Sequence, residues 1–129
     1  MKKTKWLDRA LILGPRYCLC TSKQQFSALM KEMNFENERR VFLNEGCEVC
    51  VHHFESDNES TVCVVCLNMT AMLQYDGIEI AAILVHESAH IWQRYLKYIG
   101  EEHPSKEFEA YSIEAISEGL MRAYAEQAE

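Results

Sequence analysis

The sequence predicts an α+β fold in which a small antiparallel sheet packs against two long helices, and three observations carry this reading. Two valine-rich runs, Cys47 to Phe54 and Thr61 to Asn68, have the composition of strands and are joined by the polar loop Glu55 to Ser60. The apolar stretch from Ile78 to Ile99 is long enough for about six helical turns. Between Lys106 and Ala125 apolar residues return at intervals of three and four, as on one helix face. With 129 residues, 48% of them hydrophobic, the chain suffices for one ordinary core and is too short for two. One domain spanning residues 1–129 is therefore expected.

In chain order, Met1 to Asp8 are polar with one tryptophan and carry no functional signal. Ala10 to Leu13 and Tyr17 to Cys20 are short apolar pieces separated by the turn-forming Gly14-Pro15, and the second reads as a strand. Ser22 and Gln25 have capping-box spacing, and Phe26, Leu29, Met30 and Met33 follow at helical intervals, so an amphipathic helix should run to about Met33. Arg40 to Leu43 is a weaker strand, closed by the turn residues Asn44-Glu45-Gly46. With the two valine runs it suggests a three-stranded antiparallel meander, Cys47 to Phe54 in the middle. His52 and His53, adjacent on that strand, face opposite ways and cannot both ligate one ion.

The long helix has a start and a stop. Asp76 and Glu79 form a second capping-box pair, and Gly100 falls where a left-handed C-terminal residue belongs. After the loop Glu101 to Pro104, Ser105 caps a last helix whose apolar stripe is Phe108, Ile113, Ile116, Leu120 and Met121. Glu109 lies four and seven residues before Ile113 and Ile116, so it faces inward, and a buried carboxylate requires a partner.

Charge and cysteine usage exclude several classes. A formal net charge of −7 argues against a nucleic-acid surface, which needs clustered Lys and Arg, and the pairs Lys2-Lys3 and Arg39-Arg40 read as solvated faces. No early apolar run has the length of a signal peptide and no uncharged stretch that of a membrane span, so a soluble cytoplasmic protein without a membrane partner is expected. Without an export signal, the six cysteines are read as reduced thiols. Cys47-x-x-Cys50 and Cys63-x-x-Cys66 have the spacing of zinc-ribbon halves. Yet in strands residues three apart point to opposite faces, and neither tetrad contains the Gly or Pro of a tight knuckle. They read as small apolar core residues.

The chemistry is carried by His86-Glu87-Ser88-Ala89-His90, an HExxH motif inside the long helix. At i and i+4 the two imidazoles lie one above the other and can reach one ion, with Glu87 a step around the helix. Ionisable groups buried in an apolar helix need a partner, which a metal supplies; a hydrogen-bonded pair of core histidines is the plainer alternative. Glu109 is one candidate for a third ligand, and Glu107 and His103 are others.

HESAH followed by Glu109-Ala110-Tyr111 on a second helix resembles the zincins, and among them the gluzincin-like arrangement of two motif histidines and a downstream glutamate. Gln93 and Leu96 stand where the metzincin continuation has Gly and His, which excludes that subclass; the usual NExxSD or NExxA context of gluzincins is also missing. LVHESAHIWQ with EFEAYSIEAI is similar, too, to a group of small proteins of tailed phages and prophages, whose location would be the host cytoplasm. The zincin resemblance implies a mixed sheet packed on the HExxH helix and a C-terminal ligand helix. It implies Zn2+ held by His86, His90 and Glu109, with the fourth position open to water and Glu87 as general base in hydrolysis of a peptide bond. Tyr111, His103 or His53 would stabilise the oxyanion, and a peptide or protein substrate would bind by strand addition if the strand facing the cleft has a free edge. The rival expectation is a non-catalytic, zinc-stabilised phage accessory or binding protein.

Overall fold

A computed structural model describes residues 2–7, 14–35, 39–55 and 61–128. The order of elements is β1 (Arg16–Cys20), α1 (Lys23–Glu32), β2 (Val49–Phe54), β3 (Val62–Leu67), a one-turn α2 (Met69–Met72), α3 (Gly77–Ile99) and α4 (Lys106–Ala128). The strands form one mixed sheet in the order β1-β3-β2, with β1 parallel and β2 antiparallel to β3. Ala10 to Leu13, and the polar loop from residue 56 onward, lie outside the described residues.

The sheet corrects the meander. Arg40 to Leu43 pairs with no described strand; Arg39 adopts a positive φ of 55°, which breaks the extended run just before it. Phe42 is buried nonetheless, and its carbonyl oxygen lies 3.4 Å from His52 Nε2. The third strand is β1. β3, not Cys47 to Phe54, is therefore the central strand, which agrees with its apolar run VCVVCL being buried on both faces.

Alternation along β3 splits the core in two. Cys63, Val65 and Leu67 pack with Leu84, Ile91, Trp92, Ile116 and Leu120 of α3 and α4, whereas Val64 and Cys66 pack with Phe26, Leu29 and Met30 of α1. Helices thus cover both faces, α1 on one and the α3–α4 pair on the other. Local signals fix their ends. Ser22 Oγ accepts from the Gln25 amide at α1, Asn68 Oδ1 from the Ala71 amide at α2, and Ser105 Oγ from the Phe108 amide at α4. Among the described residues no helix is long and apolar enough to cross a membrane.

Candidate metal centre

α3 is the most firmly specified element and it sets the site. Asp76 Oδ1 accepts from the Glu79 amide at 2.8 Å while Glu79 Oε1 accepts from the Asp76 amide at 3.0 Å, satisfying two orphan donors reciprocally. Gly100 ends the helix at φ 75°, where a side chain would be strained. Ile80, Leu84, Ser88, Ile91, Trp92 and Tyr95 are its buried face. Ser88, in the middle of the motif, is fully buried with its hydroxyl donated to the Leu84 carbonyl at 2.8 Å, so a small side chain lets this turn lie close against its neighbours.

His86 and His90 fall on the opposite side of that helix. Their Nε2 atoms converge to 3.2 Å, and Glu87 Oε1 lies 4.0 Å from His86 Nε2. The His86 side chain is 68% exposed and that of Glu87 only 12%. This removes one step of the sequence argument, since the imidazoles are not buried and do not need a partner to offset desolvation. It equally removes the reading as core histidines. Zn–N bonds of about 2.0–2.1 Å at a tetrahedral angle would place two nitrogens roughly 3.3 Å apart, so the observed separation suits a shared ion. The same distance suits an N–H···N hydrogen bond between neutral rings. Burial pushes the Glu87 carboxyl upward, opposed by the two imidazoles, which strengthens it as a base.

The pair borders an open groove of about 440 Å³ between α3 and β2, lined by His86, Glu87, His90 and Arg94 on one side and by Val51 and His53 on the other. Arg94 Nη2 lies 3.4 Å from Glu55 Oε1 and ties the two walls together. His53 Nδ1 is 3.2 Å from the Cys63 sulfur. Burial, then the charges of Arg94 and His90, lowers its pKa to about 4, so the ring is neutral at ordinary pH.

The structure brings His86, Glu87 and His90 together but does not bring Glu109 to them. Glu109 Oε2 accepts from Trp92 Nε1 at 3.0 Å. At about 100° per residue, Trp92 leaves α3 roughly 140° around from the midpoint of the histidine pair. The carboxylate does face inward, as its register requires, and the partner it finds is an indole N–H. Glu107, His103 and Tyr111 are exposed and line none of the groove. Among the described residues no group of three His, Cys, Asp or Glu is assembled to hold a metal. His53 and Arg94 are the groove residues that the ligand assignment from sequence passed over. Alternation groups His53 with Val49 and Val51, but nothing local says which face of β2 receives α3. No protein-family model, curated protein or solved structure matches the chain.

Proposed function

We propose that this chain is a zincin-type zinc metallopeptidase that hydrolyses a peptide bond in the groove between α3 and β2. The observation that carries the reading is the convergence of His86 and His90 Nε2 to 3.2 Å beside a nearly buried Glu87, at the lip of an open groove. His86 and His90 would hold the metal through Nε2, and zinc bound there would polarise the substrate carbonyl and lower the pKa of the attacking water. Glu87 takes the proton of that water as general base and returns it to the leaving amine. Its low exposure and raised pKa suit both transfers. Arg94, paired with Glu55 across the groove, offers a positive group to a substrate carboxylate or carbonyl.

Substituting Glu87→Gln keeps the size of the side chain and removes the base. Zinc content and thermal stability should survive, while cleavage across a broad peptide library should fall by several orders of magnitude. A second reading, a non-catalytic zinc-stabilised accessory or binding protein, is favoured by the 68% exposure of His86, which leaves one side of the pair without a wall. Under that reading wild type cleaves nothing in the library and Glu87→Gln alters no measured property.

A further inference from the structure

The histidine pair supplies two donors, and a catalytic zinc takes three from the protein. A helix offers only what lies on one face, so the third must come from an element across the groove. The wall facing the pair is β2. Its residues that line the groove are Val51 and His53, and of these only His53 can ligate. Glu109 is occupied elsewhere, accepting from Trp92 Nε1 on another side of α3.

The state of the His53 ring suits the task. Its Nδ1 is in contact with the Cys63 sulfur at 3.2 Å, and Nε2 has no hydrogen-bond partner among the described residues. In the tautomer whose Nδ1–H points at the sulfur, that contact orients the ring and Nε2 carries the lone pair a metal takes, and ligating histidines are ordinarily held through their second nitrogen. Among the described residues β2 is an edge strand, hydrogen-bonded to β3 alone, so no described ladder on its outer side opposes a shift toward α3. We infer that His53 Nε2 completes the protein ligand set with His86 and His90, making a three-histidine centre that spans β2 and α3. The inference rests on the zinc reading above. The three donors are not already grouped, so the His53 ring and its strand must move inward as the metal enters. The arrangement couples the metal to the substrate wall: zinc would fasten the edge strand along which a peptide must lie.

The test uses the full chain and zinc alone. In wild type carrying 15N-labelled imidazoles, two-bond 1H–15N spectra follow all five histidines as zinc is added. His53, His86 and His90 should move together to ligated Nε2 positions at one equivalent, while His52 and His103 stay. Competition with a chromophoric chelator should show His53→Ala weakening zinc binding on the order of 100-fold or more, and Glu109→Ala by less than about 3-fold. If His53 does not respond to zinc in wild type, the inference fails whether or not the His53 variant folds. If Glu109→Ala rather than His53→Ala costs the affinity, the ligand is Glu109 and the zinc reading survives. Zinc binding that is untouched by His86→Ala would instead overturn the zinc reading itself.

Discussion

Two sets of side chains of the kinds that can bind metals, thiols and imidazoles, lie on opposite sides of this sheet, and they differ in almost every property that makes a site. Cys20, Cys66 and Cys50 stand side by side across β1, β3 and β2, in register, on the face covered by α1. Cys20 and Cys66 have no exposed surface and pack with Phe26 and Phe54. Neighbouring strands are about 4.8 Å apart, so a row of thiols along that direction lies on a line rather than around a point. His86 and His90 come from one helix, aim at one point 3.2 Å wide, and open onto the groove. Convergence and access, more than the ligand chemistry of the side chain, separate a candidate centre from a core. The CxxC spacing illustrates this, since Cys63 and Cys66 belong to the two different cores.

Several experiments break or sharpen that contrast. The largest effect is expected in native thiol labelling. Cys47 is exposed and Cys50 partly so, whereas Cys18, Cys20, Cys63 and Cys66 are sealed, and burial pushes the Cys63 thiol up to about 12. Reaction of the sealed four should wait for global opening and lag Cys47 by a factor of about 10³ or more, as read by mass spectrometry of timed alkylation. Rapid modification of Cys66 would show that the α1 face is not closed. Next in size is Cys66→Ser, which puts a hydroxyl into an apolar site and should cost about 1–3 kcal/mol in urea unfolding without changing zinc content. Asp76→Ala removes the N-cap of α3 and should cost about 1 kcal/mol. Because the pair sits more than two turns further along, its zinc affinity should be unaffected. Smallest is His86→Ala without added metal, expected within about 0.5 kcal/mol of wild type because the side chain is exposed. A larger loss would mean that the histidine pair serves the fold.

The parts legible in the sequence were those with local causes. The Asp76–Glu79 box, Gly100 and the Ser22 and Ser105 caps each mark an element end through a bond made within a few residues, and the structure forms all of them. Alternation in β3, and with it the rejection of its CxxC tetrad, is likewise local, whereas Cys47 precedes β2 and is exposed, so it is not the core residue expected of it. What stayed hidden depends on which elements meet. β1 joins β3 as a parallel partner after the whole of α1 and β2 has intervened, and no pattern in Arg16–Cys20 announces that pairing. Arg40 to Leu43 looked like a strand because Phe42 and Leu43 are apolar, yet the left-handed Arg39 and the turn at Asn44 to Gly46 bracket it into a loop. At the groove, the motif spacing accounts for the proximity of His86, Glu87 and His90. Glu109 was correctly read as inward-facing, but an indole N–H competes with a metal for a carboxylate, and the helix stripe cannot say which neighbour is there. Alternation sets His52 and His53 on opposite faces of their strand but does not say which of them meets α3; His53 is the one that lines the groove.

Every chemical role proposed for the groove depends on zinc binding by the histidine pair. The direct measurement is metal content by elemental analysis and native mass spectrometry, on wild type and on the His86→Ala/His90→Ala double variant, purified identically and equilibrated with equimolar zinc. One zinc per wild-type chain and none in the double variant is the expected result. A zinc that persists in the double variant, or a wild type that retains none, would contradict it.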